Sequence, residues 1–233
     1  MNYEAKLIEL INGEMPLSPL RKSKSGEVDS EVILLGDKEF LFSMDDCSNE
    51  DLLPEKDPFM LGWCIACGAI SDIIGAGGKP LLYAHSMVIP RDWDEEYLRS
   101  FSKGIAAVLA EYSISFCGGD LGIADKWRYT ASMIGIPTGR IVNRIGCKNG
   151  DAIFITGRIG AGNLAAITTL FADNESIMEL LKGNKIGFPT HTRLSGLLSK
   201  YATCAIDTSD GVFSALQTIS TLNNTGFKLN SLP

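Results

Sequence analysis

Apolar positions along this chain change period several times, and each change marks an element. Ala5, Leu7, Ile8 and Ile11 fall on one side of a helical pattern, which predicts a short helix over Tyr3 to Ile11. A loop with Pro16, Pro19 and the basic stretch Arg21-Lys22-Ser23-Lys24-Ser25-Gly26 follows. Two apolar runs, Val32 to Leu35 and Phe40 to Met44, then flank Gly36-Asp37-Lys38-Glu39, the pattern of a β-hairpin ending at Asp45-Asp46. Leu61 to Ala76 is small and apolar without a regular polar face, which predicts a buried helix carrying Asp72 and stopped at Gly77-Gly78. A strand over Leu81 to Ile89 closes at Pro90. The strongest periodicity lies between Asp94 and Tyr112, where Leu98, Phe101, Ile105, Leu109 and Tyr112 recur at the three- and four-residue steps of an amphipathic helix.

Beyond it the pattern predicts a strand over Ile114 to Cys117, a loop over Gly118 to Lys126, a strand over Arg128 to Ile136 and a turn at Pro137-Thr138-Gly139. A boundary near Gly146 divides the chain into an N-terminal unit, 1–145, and a C-terminal unit, 146–233. The second unit is expected to hold strands at Asp151 to Thr156, Thr203 to Ile206 and Gly226 to Leu229, with helices at Gly162 to Phe171, Arg193 to Tyr201 and Gly211 to Leu222. Strands and helices in both halves indicate an α/β or α+β protein.

A 233-residue chain that is 45% hydrophobic can bury one good core or two modest ones. No apolar run reaches the ~20 residues that span a bilayer, and the start, Met1-Asn2-Tyr3-Glu4-Ala5-Lys6, is amphipathic rather than signal-like, so a cytoplasmic protein without membrane contact is expected. Its six cysteines then read as free thiols. The net charge of -7 argues against a nucleic-acid partner, whose phosphates need a basic patch. An acidic protein still binds phosphates if a divalent metal bridges the two like charges.

Candidate chemistry rests on six scattered aspartates, each where a strand or turn meets a small or polar residue: Asp29, Asp45, Asp72, Asp120, Asp207 and Asp210. Hard oxygen ligands suit Mg²⁺, which keeps several waters and binds substrate phosphates beside one or two carboxylates. Plainer readings stand next to this one. Ser209 or Asp210 of Asp207-Thr208-Ser209-Asp210-Gly211 could cap the following helix, although a helix start beside carboxylates can also hold a phosphate and its metal. Gly118-Gly119-Asp120 could be an ordinary turn, and Asp45-Asp46 a solvated strand end. Asp72 resists such a reading, because an unpaired carboxylate is costly to bury in an apolar helix. Cys64-Ile65-Ala66-Cys67 lacks a second ligand pair at zinc spacing and reads as small core residues. His85 reads as a core histidine, His191 as a surface residue between Thr190 and Thr192, and the Arg21 to Lys24 cluster as a solvated loop.

In this order the motifs resemble the superfamily of aminoimidazole ribonucleotide synthetase, selenophosphate synthetase, the hydrogenase-maturation dehydratase and thiamine-monophosphate kinase, and most resemble the kinase. The resemblance is carried by Ser43-Met44-Asp45, by Ile70-Ser71-Asp72-Ile73 with Gly75-Ala76 and Pro80, and by Gly118-Gly119-Asp120. Gly139-Arg140, Arg144, Gly146, Gly150-Asp151, Thr156-Gly157, Ala205-Ile206-Asp207 to Asp210-Gly211 and Leu232-Pro233 continue it.

The resemblance implies a two-domain fold whose N-terminal β-sheet domain pairs across a homodimer, with a shortened C-terminal α/β domain. It implies ATP and Mg²⁺ as cofactors and a small-molecule acceptor, either thiamine monophosphate or α-ribazole. Asp29, Asp45, Asp72, Asp120, Asp207 and Asp210 would hold metal; Asp120 and Asp210 would act in catalysis; Arg144, Ser209, Gly118 and Gly119 would bind the nucleotide. A ring-closing ligase of the aminoimidazole ribonucleotide type and a non-catalytic nucleotide-binding paralogue are the other activities in view. Val28-Asp29-Ser30 departs from the family's Gly-Asp-Asp, so the resemblance implies that Ser30→Asp would restore a ligand. Cys64 replaces a lysine and Leu121 a threonine of the kinase, and no histidine occupies the loop after Asp45.

Overall fold

The computed structural model describes residues 3–182, 187–189, 191 and 193–229. Its strands are β1 (Glu31–Leu35), β2 (Lys38–Ser48), β3 (Gly78–Ile89), β4 (Ser115–Ile123) and β5 (Arg128–Pro137). The helices are α1 (Tyr3–Glu14), α2 (Pro58–Gly75), α3 (Glu95–Tyr112), α4 (Ala161–Leu170), α5 (Glu175–Leu181), α6 (Leu194–Tyr201) and α7 (Val212–Asn223). The five strands form one sheet in the order β1-β2-β5-β3-β4. Neighbours are antiparallel except β3 and β4, which run parallel and are joined by α3 because a parallel pair requires a crossover.

Helices α2 and α3 cover one face of the sheet. Leu41, Tyr83, Tyr129, Ala131 and Met133 point into the same core as Leu61, Ile70 and Ile73 of α2 and Phe101 and Val108 of α3. Sequence sets both helix starts: Asp57 accepts from the Met60 N–H with Pro58 following it, and Asp94 accepts from the Tyr97 N–H. The helices approach closely at two glycines. A Cβ on Gly62 would lie 2.1 Å from the Phe101 carbonyl oxygen, and one on Gly104 would lie 1.9 Å from that of Phe59. α2 is the described helix long and apolar enough to cross a membrane, and more than half of it is buried inside this fold.

The second half rests on the same two helices and on the segment that follows β5. The Trp63 indole N–H donates to the Phe188 carbonyl, the His191 N–H to the Tyr112 hydroxyl, and the Ser199 hydroxyl to the Arg140 carbonyl. The boundary expected near Gly146 lies in the irregular stretch 138–160 between β5 and α4.

Several elements differ from the pattern-based expectation. β4 runs straight through Gly118-Gly119-Asp120, where a loop was expected, because the parallel ladder from Ala84↔Gly118 to Ile89↔Ile123 satisfies that backbone. The segments expected as strands at 151–156, 203–206 and 226–229 join no ladder among the described residues. Apolar alternation gives a segment a face, but a strand exists only through a partner's backbone. Short α5 carried a readable start, since Asn174 accepts from the Ile177 N–H just before Glu175, but its apolar stripe is too brief to stand out. On α1, Leu7, Ile8 and Ile11 are exposed rather than packed. Leu232-Pro233, Thr190 and Thr192 lie outside the described residues.

Candidate metal and phosphate site

One face of α2 prepares the site. Gly68, Ser71, Asp72 and Gly75 recur at helical spacing and present small or polar groups to the same side. Asp45, on the inner face of β2 opposite Ala131, fits beside Gly68; a Cβ there would be 3.0 Å from the Asp45 Oδ2. Gly75 makes room for Asp29, whose Oδ2 would lie 2.1 Å from an added Cβ.

Hydrogen bonds tie the remaining parts together. Arg144 Nε donates to Asp29 Oδ1 at 2.6 Å, and the Asp207 backbone N–H donates to Asp29 Oδ2 at 3.0 Å. Ser71 Oγ donates to Asp207 Oδ2 at 2.7 Å. Asp29, Asp45, Asp72 and Asp207 are thus gathered from a loop, a strand, a helix and a distant turn.

Their electrostatics are those of carboxylates that outnumber the one cation paired with them among the described residues, Arg144. Burial pushes Asp29 up to about 6 against the lowering effect of Arg144, and the Asp207 charge adds to the rise. Asp45 also rises to about 6, through burial first and then repulsion from Asp207, Asp46 and Asp210. Burial, with Asp207, Asp29 and Asp45 around it, pushes Asp72 up to about 9. A cation would reverse each of these shifts. Among the described residues no group of three or more metal-binding side chains forms a ready-made coordination sphere. All-oxygen ligands spaced for waters and phosphates fit Mg²⁺, which seldom occupies a cage made of protein alone.

The other candidates divide between two places. Asp210 and Ser209 are exposed in the turn before α7; Asp210 is near enough to repel Asp45. Neither caps the helix, whose N-cap is Gly211 without a side-chain bond. Asp120 pairs with Ser86 on the face of the sheet opposite Asp45, whereas Gly119 lies under His85 on the inner face. This chain therefore does not bring Asp120 to the other carboxylates, and Gly118 and Gly119 stay with β4. Asp46, also on the outer face, is bound to Arg128 and Thr130.

The plainer readings fare well elsewhere. Cys64 and Cys67 are buried, and all six cysteines are free thiols. His85 Nδ1 lies 2.6 Å from the Tyr129 hydroxyl in a network reaching Tyr83. Arg21 is paired with Glu31 rather than held free for phosphate.

Ser71, Gly68 and Gly75 were not assigned site roles from the sequence; their signal is the run of small residues around Asp72. Ser30 differs more sharply. It is 2% exposed and its Oγ donates to the Asp72 carbonyl at 2.9 Å, so it braces α2 instead of facing the cleft. An aspartate there would bury a further negative charge beside Asp29 and Asp72. Ser30→Asp is expected to lower the unfolding free energy by about 2–4 kcal/mol without improving metal binding; a urea titration that leaves the midpoint unmoved would contradict this.

Residues 28–137 match the family model AIR synthase related protein, N-terminal domain. A thiamine-monophosphate kinase of Pyrococcus horikoshii is 32% identical over 157 residues, covering 66% of this chain and 49% of the relative. One of Salmonella typhimurium is 31% identical over 182 residues, covering 76% and 55%. The chain thus spans about half the length of the curated relatives it matches. The AaThiL structure complexed with AMPPCP and TMP superposes with a TM-score of 0.79 at 20% identity, covering 96% of this chain and 72% of that one. Residues 28–137 thus carry the AIR synthase-related N-terminal domain, and the chain shares the fold of the AaThiL structure.

Proposed function

We propose that the carboxylate cleft binds ATP through Mg²⁺ and that the protein is a kinase passing the γ-phosphoryl group to a small-molecule acceptor. Thiamine monophosphate is the first acceptor to test and α-ribazole the second. The convergence of Asp29, Asp45, Asp72 and Asp207 carries this reading. The curated relatives named as thiamine-monophosphate kinases and the AaThiL structure with AMPPCP and TMP support it.

Mg²⁺ would supply charge neutralisation between the triphosphate and the carboxylates. Asp45, Asp72 and Asp207 would hold it, with Asp210 beside Asp45 at the open edge. Arg144 fixes Asp29, and Asp29 in turn fixes the Asp207 backbone, so this pair sets the register of the turn that carries Ser209 and Asp210. Such chemistry needs positioning and electrostatics rather than a side-chain nucleophile.

Incubation with ATP, Mg²⁺ and each acceptor, read by product mass, tests the activity. ADP and a phosphorylated acceptor are expected. Nucleotide binding with no product from any acceptor would favour the non-catalytic reading.

The proposal extends to a homodimer through the sheet. β4 is a free edge whose Phe116, Leu121 and Ile123 are more than half exposed, and Met44 is exposed on the outer face. Sedimentation at micromolar concentration is expected to show a dimer, and a monomer would contradict it.

A further inference from the structure

We propose that Cys147 and Cys204 form a reversible disulfide that staples the 143–147 segment to the 203–207 segment. Cys147 follows Gly146 and Cys204 follows Thr203, two residues whose backbones touch, and the Cys147 thiol is near enough to act on the Cys204 thiol. The backbones on either side are drawn together as well. The Ala205 N–H donates to the Asn143 carbonyl at 3.1 Å. A Cβ on Gly146 would lie 2.7 Å from the Thr203 carbonyl oxygen. Thr203 Oγ1 donates to Asp151 Oδ2 at 2.8 Å, adding a second tie across the same junction. These backbone contacts hold the two segments side by side, as a disulfide between them requires.

The other cysteines lack this arrangement. Cys64 and Cys67 are buried in the core along α2, and Cys117 is exposed on the β4 edge. Cys147 and Cys204 are both half-buried, within reach of a small oxidant. Burial and the neighbouring Cys147 thiol push Cys204 up to about 11, so it is the slower of the two to ionise and attacks second, once held beside the mixed disulfide.

The oxidant is a small-molecule disulfide such as oxidised glutathione. The Cys147 sulfur attacks one glutathione sulfur and releases the other as a thiol. Cys204 then displaces the remaining glutathione and gives up its proton. Two protein thiols become one S–S bond, and two electrons and two protons leave as two glutathione thiols. The bond would fix Arg144 and Asp207, which lie on the two stapled segments, without removing either from the site.

Intact-mass measurement after treatment with oxidised glutathione tests the proposal independently of nucleotide binding. The mass is expected to fall by two hydrogens, to recover with dithiothreitol, and to map to a peptide linking Cys147 to Cys204. The oxidised form should melt roughly 5–10 °C above the reduced one. Cys147→Ser and Cys204→Ser should each abolish the link and the shift while keeping the reduced protein's melting temperature. The wild-type peptide map decides if either variant folds poorly. Separate glutathione adducts without a link, a link through Cys117, or a linked form with an unchanged melting temperature would overturn the proposal.

Discussion

Asp72→Asn is expected to act in opposite directions on binding and stability. Mg²⁺-dependent ATP binding should weaken roughly 100-fold, because the substitution removes a charged oxygen from the centre of the cleft. The metal-free protein should gain about 2–4 kcal/mol near neutral pH, because burial and three neighbouring carboxylates oppose the charged form of Asp72 in the folded state alone. A substitution that only disturbed packing in α2 would lower both quantities. Titration calorimetry and urea unfolding on the same variant separate the two accounts, and loss of stability alongside loss of binding would count against a metal site.

The second large effect is on pH dependence. Asp29 and Asp45 rise from their ordinary 3.8 to about 6, and Asp72 to about 9. Between those limits the folded protein binds more protons than the unfolded chain, so the stability of the metal-free protein should fall as pH rises from about 4 to about 9. Below that window the trend reverses, since the Asp46–Arg128 pair holds Asp46 below its usual range and is lost as Asp46 is protonated. With Mg²⁺ and ATP bound, the carboxylates have a counter-charge and the decline above pH 5 should flatten. Denaturation at pH 5 and pH 8.5, with chelator and with Mg-ATP, measures it; metal-free protein equally stable at both would contradict the electrostatic account.

The residues that gather in the cleft were largely legible as motifs. Asp45, Asp72 and Asp207 each end or interrupt an apolar run, and burying such a residue needs a reason; Asp29 was legible through the resemblance alone. What the sequence did not show was which side a residue faces. β4 pairs Tyr83 with Phe116 and then Ala84 with Gly118, leaving Cys117 as an extra residue. That single bulge reverses the parity of the strand and sends Asp120 to the outer face. Gly118, at a φ of 112°, is where the backbone allows it.

Ser30 was unreadable for a related reason. Its neighbour Asp29 faces Arg144 and Asp207, and alternation turns Ser30 toward the Asp72 carbonyl, where a hydroxyl donor is useful and a carboxylate is not. The hairpin and the two core helices were plain because local periodicity and tertiary burial agree there. The segments at 151–156, 203–206 and 226–229 carry strand-like sequence, but pairing depends on residues far away in the chain, and the Ala205–Asn143 backbone bond of 203–206 does not extend into a ladder among the described residues. The Cys147–Cys204 meeting was likewise invisible to spacing alone.

The central claim is that metal bridges these carboxylates to a nucleotide. Calorimetric titration with a non-hydrolysable ATP analogue, in Mg²⁺ and then in chelator, tests it most directly. The account predicts binding in Mg²⁺ that weakens at least about 100-fold in chelator, since the triphosphate then faces bare negative charge. Equal affinity under both conditions would contradict it.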